Sequence, residues 1–226
     1  MERVGVVLCG SGRLDGSEVH ESVLTLLHLV RGGARPICFA PDAPQWAVCD
    51  HLSGEVVPGE SRNQLHEAAR IARGEVQPLT EARVEDLDAL VLPGGSGAAR
   101  NLCDFAERGA DGAVLPELAA LIRGVVDAGK PLGAICIAPA LVALALKGRS
   151  PRLTLGPVDG DAAREVARTG AEVVPAGADE VVADARLKLW STPAYIVGRD
   201  VAEVDVGIGR LVASVLAALR GATLEA

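Results

Sequence analysis

The stretch KPLGAICIAPALVALAL, residues 130–146, joins a short apolar run to a helical pattern through one cysteine and one proline. Residues 132–135 read as a buried strand, and Pro139 suits the first turn of a helix over residues 139–146, where its missing N–H would have had no helical partner. Cys136 then falls at the turn between strand and helix. One such junction is half of a β-α unit, and the fold depends on whether the unit repeats.

It does repeat. Apolar, β-branched runs at residues 4–9, 37–40 and 89–92 each lead into a Gly- or Pro-rich turn. Between the first two, Val19, Val23, Leu26, Leu27 and Val30 fall at helical spacing, which predicts a helix from about Ser17 to Gly32-Gly33 with that face buried. Ser61 and Gln64 have capping-box spacing and predict a second helix that stops at Gly74, after an irregular connection through residues 46–58. Further helices are predicted over residues 96–102, 115–128, 161–168 and 201–219, and shorter strands over 153–155, 181–183 and 187–190. Parallel strands require crossovers, so alternating strands and helices predict an α/β fold: a doubly wound, mostly parallel sheet sandwiched by helices. Residues 1–226 are expected to form one domain, since neither a repeat nor a linker interrupts them.

Composition narrows the function classes. Aromatic residues make up 2% of the 226, so Val, Leu, Ile and Ala must fill the core, as they do in parallel sheets covered by helices. The net charge of -8 and the scatter of the basic residues argue against a nucleic-acid partner. No apolar run approaches the ~20 residues of a membrane span, and the N-terminal MERVGVVLCG resembles neither a secretory signal nor a transit peptide. The five cysteines, Cys9, Cys38, Cys49, Cys103 and Cys136, never form CxxC, so neither a disulfide framework nor a metal site is expected. Free thiols suit a reducing compartment, and the cytoplasm is the expected location.

In a doubly wound sheet, ligands gather beyond the carboxyl ends of the strands, so the turns carry the functional question. The first, Gly10-Ser11-Gly12-Arg13-Leu14-Asp15-Gly16, misses the dinucleotide spacing because Asp15 stands where the third glycine belongs. It leads to Glu18 and Glu21, which share one helix face. Either acid can simply complement the helix dipole, and Glu21, one turn deeper, can also be partly buried with a raised pKa. The turn Pro93-Gly94-Gly95-Ser96-Gly97 can aim backbone N–H groups at an anion or a developing oxyanion, or be only a tight turn. Cys136 has the position of a nucleophile at an elbow, with a small buried core residue as the alternative.

Taken together, GVVLCGSGRLDGSEVHESVLTLL, CFAPD, DHLSGE, SRNQLHEAARIARG, LDALVLPGGSGAARNL, GKPLGAICIAPAL and STPAY resemble the ThiJ/PfpI superfamily, which has the flavodoxin-like, class I glutamine amidotransferase-like fold. Within it the chain is similar to the ElbB-type glyoxalase branch. The resemblance implies a catalytic pair, Cys136 as nucleophile and Glu21 as the acid hydrogen-bonded to it. It assigns oxyanion or substrate contacts to the amides of Gly95 and Ile137 and to Glu18, and brings residues 191–194 toward the pocket. It further implies a homodimer and a weak glyoxalase that needs no cofactor or metal and takes a small aldehyde substrate, glyoxal to glycolate or methylglyoxal to lactate.

One departure tempers this. All four histidines, His20, His28, His51 and His66, precede Cys136, and Ile137 stands where some relatives have an adjacent histidine. An amidotransferase triad in its usual chain order is therefore impossible, which sets a glutaminase reading behind the glyoxalase. The alternative is a non-catalytic module that keeps the fold as a redox sensor or small-metabolite binder.

Overall fold

The computed structural model describes residues 1–221. A seven-stranded sheet is built from β1 (Arg3–Val7), β2 (Arg35–Ala40), β3 (Val76–Pro78), β4 (Ala89–Leu92), β5 (Leu132–Ile135), β8 (Val182–Asp184) and β9 (Leu189–Thr192). Its order is β3-β2-β1-β4-β5-β9-β8, parallel throughout except for the last pair. A separate parallel pair joins β6 (Arg152–Leu153) to β7 (Glu172–Val173). Chain order reverses between β1 and β4, and at this switch point the carboxyl ends of neighbouring strands leave a crevice.

Helices cover both faces. On one lie α1 (Val19–Arg31), α2 (Gln64–Ile71) and α8 (Val201–Leu219), enclosing Val4, Val6, Val91, Ile208, Leu211 and Val215. On the other lie α3 (Ser96–Arg100), α4 (Phe105–Arg108), α5 (Pro116–Asp127), α6 (Ala138–Ala145) and α7 (Asp161–Arg168), over a core of Leu90, Leu92, Leu118, Ile122 and Leu141. Helix α6 is buried along its whole length, which its sequence of alanine, leucine, valine and proline permits. Its Pro139 is the second helical residue, where no backbone bond is lost.

The expected strands at 89–92 and 132–135 and the helices at 161–168 and 201–219 have the expected bounds, while several other ends move. β1 stops at Val7, because the Cys9 amide is taken by the Ser17 hydroxyl at 2.9 Å instead of by a neighbouring strand. Ser61 does not cap α2: it is exposed, and the Asn63 side chain accepts from the His66 amide. The Gln64 side chain, which the capping box would have turned back on Ser61, donates instead to the Pro44 carbonyl at 2.9 Å.

The larger correction concerns α1. Four of the five residues expected to form its buried face, Val19, Val23, Leu27 and Val30, are 37–60% exposed. The buried face is Glu21, Ser22, Thr25 and Leu29. Its hydroxyls are satisfied within the helix, Ser22 donating to the Glu18 carbonyl at 2.6 Å and Thr25 to the Glu21 carbonyl at 2.7 Å. Hydrophobic periodicity finds the helix but misplaces its face, because the side that turns to the strand ends is the side that carries a carboxyl group.

Candidate active site

The crevice is closed by the turns after β1, β4 and β5, knitted together through main-chain bonds. The Glu18 amide donates to the Gly94 carbonyl at 3.0 Å, the Gly97 amide to the Gly16 carbonyl at 3.0 Å, and the Ser96 amide to the Arg13 carbonyl at 2.8 Å. Gly95 makes this approach possible. It has φ +97°, and a Cβ there would lie 2.4 Å from the Glu18 nitrogen and 2.5 Å from the Gly16 carbonyl oxygen. The acidic residue that spoils the dinucleotide spacing also has a structural use: Asp15 is buried and accepts from the Cys49 amide at 2.8 Å.

Cys136 sits at the elbow with φ +60°, a left-handed conformation that costs a side-chain-bearing residue energy and is held by its surroundings. Its amide donates to the Thr192 carbonyl at 2.9 Å, which ties the elbow to the end of β9. The side chain is half-buried. The backbone amides of Gly95 and Ile137 act on its sulfur in the direction that favours the thiolate.

Glu21 comes to the same place from α1, fully buried. Its carboxyl accepts from the Gly94 amide at 3.0 Å and the Tyr195 amide at 3.4 Å, and it lies beside the Cys136 side chain across Gly94. Gly94 is the spacer between the two side chains: a Cβ on it would lie 2.5 Å from the Cys136 Cβ and 2.6 Å from the Glu21 Oε2. Burial pushes the Glu21 carboxyl up to about 8, the nearby Glu18 charge adding to the effect. Burial, then the Glu21 charge, holds the Cys136 thiol well above its ordinary value, against the pull of the Gly95 and Ile137 amides. Near neutral pH both partners are therefore protonated.

Glu18 caps α1, its side chain accepting from the Glu21 amide at 2.8 Å, and it also lines the pocket. Residues 191–194 act differently from the expectation. Ser191 and Thr192 are buried behind the elbow, where the Ser191 hydroxyl accepts from the Thr154 amide at 2.9 Å, and the next side chain, Tyr195, is the one that reaches the pocket.

The pocket in front of Cys136 has a volume of about 720 Å³ and an apolar wall that includes Ala99, Phe105 and Ile137. Sequence reasoning missed three of its residues: Arg13, Arg100 and Tyr195. Tyr195 left a signal, as the sole tyrosine of the chain. Arg100 left none, because its position depends on a stack against Trp46 from a distant loop, its guanidinium carbon 4.3 Å from the ring centre. His20, one residue before Glu21 on α1, also lines the pocket, since the Tyr195 hydroxyl lies 2.7 Å from its Nδ1 and holds the ring there. The remaining histidines are placed otherwise. His28 contacts Asp205 at 2.8 Å, His51 approaches Asp15 at 3.8 Å, and His66 is exposed on α2.

No family model matches the chain. It is 41% identical over 223 residues to the rat (Rattus norvegicus) "ES1 protein homolog, mitochondrial", covering 95% of this chain and 83% of that protein. It is 40% identical over 222 residues to the human (Homo sapiens) "Glutamine amidotransferase-like class 1 domain-containing protein 3, mitochondrial", covering 95% and 82%. Among solved structures, an "isoprenoid biosynthesis protein with amidotransferase-like domain" from Ehrlichia chaffeensis superposes with TM-score 0.91 at 36% identity, over 97% of this chain and all of that one. A ThiJ/PfpI domain protein from Brachyspira murdochii, at 13% identity and TM-score 0.59 over 98% of both chains, shares the fold alone. These relatives overturn the cytoplasmic expectation, since those from rat, human and zebrafish (Danio rerio) are named mitochondrial proteins. Free cysteines report a reducing medium and do not tell one reducing compartment from another.

Proposed function

Because the chain belongs to the glutamine amidotransferase-like class 1 domain (ES1) family and shares the fold of ThiJ/PfpI domain proteins, we propose that its strand-end crevice is a slow, cofactor-independent glyoxalase site that converts a 2-oxoaldehyde to a 2-hydroxy acid. The observation that carries the reading is the pairing of Cys136, on its strained elbow, with the buried carboxyl of Glu21. An ElbB-type assignment within the superfamily forms part of the proposal.

The chemistry balances without an added oxidant. Ionised Glu21 takes the thiol proton as sulfur attacks the aldehyde carbon, and the carbonyl electron pair moves to oxygen under the amides of Gly95 and Ile137. Protonation of that oxygen gives a hemithioacetal. Removal of the C1 proton and protonation of the C2 oxygen give an enediol. Return of a proton to C2, with loss of the C1 hydroxyl proton, then leaves a thioester. Water cleaves the thioester, restoring the thiol and releasing the 2-hydroxy acid, so C1 is oxidised by the reduction of C2. Glu21 serves the transfers nearest the sulfur, and His20, oriented by the Tyr195 hydroxyl, is the second proton carrier on the pocket wall.

A redox-sensing role draws less support, because oxidation proceeds through the thiolate and the thiol is held protonated. The test compares wild type, Cys136→Ala and Glu21→Gln for lactate formed from methylglyoxal. Loss of nearly all product in the first variant and a fall of about 100-fold or more in the second are expected. Equal product from all three would refute the proposal.

A further inference from the structure

The crevice holds a charge that glyoxal and methylglyoxal do not use. Although the chain carries a net charge of -8, the side chains lining this pocket include two guanidiniums, Arg13 and Arg100, against a single carboxylate, Glu18. Arg100 is fixed from outside by the Trp46 ring and by an ion pair with Glu107. Arg13, exposed at the tip of the first turn, has no side-chain hydrogen bond or ion pair among the described residues. Its backbone is nonetheless anchored, the carbonyl accepting from the Ser96 amide at 2.8 Å. Glu18 is occupied as the cap of α1, leaving the Arg13 donors as the unsatisfied charge at the site.

Size points the same way. A pocket of about 720 Å³ lies in the range of several hundred Å³ that encloses much larger ligands than a two- or three-carbon aldehyde. With the reacting carbonyl at Cys136 and the guanidiniums in more exposed positions, the wall formed by Ala99, Phe105 and Ile137 is left to contact a carbon chain between them.

We infer that the site selects carbonyl substrates bearing a carboxylate tail, which Arg13 binds at the pocket mouth with Arg100 beside it, while the carbonyl end meets Cys136. A planar guanidinium with free donors matches a carboxylate two bonds at a time. A monoanion also suits the lining better than a phosphate dianion, because Glu18 faces the same space. The inference rests on the glyoxalase reading for the nature of the reacting end and on the arginines for the tail.

The test separates the two. Binding of 4,5-dioxopentanoate and of its uncharged counterpart 2-oxopentanal is measured calorimetrically on Cys136→Ala protein, where no covalent step intervenes, and turnover of both is measured on wild type. The carboxylate compound is expected to bind at least about tenfold more tightly at low salt, a difference of about 1.4 kcal/mol. That preference should shrink with added salt and fall to about twofold or less when Arg13→Gln is added. Equal affinity for the two compounds, or a preference that survives Arg13→Gln, would overturn the inference. Selective binding without turnover would leave the anion site standing and remove the glyoxalase reading. Equal binding with turnover of both compounds would do the reverse.

Discussion

Replacing Glu21 by glutamine tests the electrostatics of the site through stability, independently of any substrate. In the folded protein burial raises the Glu21 carboxyl from 4.5 to about 8. As pH rises through 4.5 the unfolded chain gives up this proton first, and the folded protein keeps it until about pH 8. Over that window the folded state binds more protons, so stability falls with rising pH, by about 1.4 kcal/mol per pH unit. Between pH 6 and 8 wild type should therefore lose about 2 kcal/mol relative to Glu21→Gln, whose amide never ionises; the slope flattens near pH 8, where the folded carboxyl is half-ionised. For a chain of this size that is a relative change of roughly 4–8 °C in Tm. The absolute offset between the proteins is a separate matter. The carboxyl accepts from both Gly94 and Tyr195, and an amide can accept only one of these bonds with its oxygen, which costs about 1–3 kcal/mol at every pH. The informative quantity is the change in the difference with pH. Urea unfolding of both proteins at pH 6, 7 and 8 measures it, in a range that avoids the isoelectric point near 5.1. A difference constant to within about 0.5 kcal/mol would mean that Glu21 is ionised in the fold, and the argument from burial would fail.

The same proton sets the rate. Since Glu21 must be ionised to accept the thiol proton, kcat/KM for methylglyoxal should rise from pH 6 and level off above about 8, with pH 6 about 100-fold below the plateau; a flat profile would contradict the assignment. Gly94→Ala inserts a methyl group between Cys136 and Glu21 at distances that demand displacement, so it should cost about 1–3 kcal/mol in urea unfolding and largely abolish turnover. Retained activity in a folded variant would show that the two side chains need not meet. Tyr195→Phe removes the hydroxyl at His20, and a fall in kcat of about tenfold with stability changed by about 1 kcal/mol or less is expected. An unchanged kcat would remove His20 from the proton path.

The sheet and the site differ in how legible they were. Strand runs of valine, leucine and isoleucine ending in glycine turns give the architecture, because burial on both faces leaves no polar alternation to confuse them. Two short elements escaped, β3 of three residues and β7 of two, because neither Val-Gln-Pro nor Glu-Val forms an apolar run. Cys136, Gly94 and Gly95 could be found from sequence because each sits just beyond a strand end, whereas Glu21 is only one of two acids on a helix until the family resemblance singles it out. Arg13 and Arg100 could not, since what matters about them is the absence or presence of partners contributed by remote residues such as Trp46 and Glu107. The α1 stripe failed for a related reason. Periodicity assumes that the apolar side is the buried side, and here the face toward the strand ends buries a carboxyl group and two hydroxyl residues instead.

The supply of protons separates aldehyde from amide chemistry at this site. Hydrolysis of an amide requires the same thiol attack, but the tetrahedral intermediate collapses forward only if an acid protonates the departing nitrogen while sulfur stays bound. In an amidotransferase triad the histidine takes the thiol proton and delivers it to that nitrogen. In the proposed reaction the thiol proton passes to Glu21, which is fully buried and held by the amides of Gly94 and Tyr195, while His20 stands apart on the pocket wall. A fixed carboxyl serves a reaction whose proton transfers occur on atoms next to the sulfur. An aldehyde meets that condition, since attack expels no leaving group and the later transfers join C1 and C2 and their oxygens. The thiol and carboxyl that we propose rearrange a hemithioacetal are therefore poorly placed to release ammonia from glutamine.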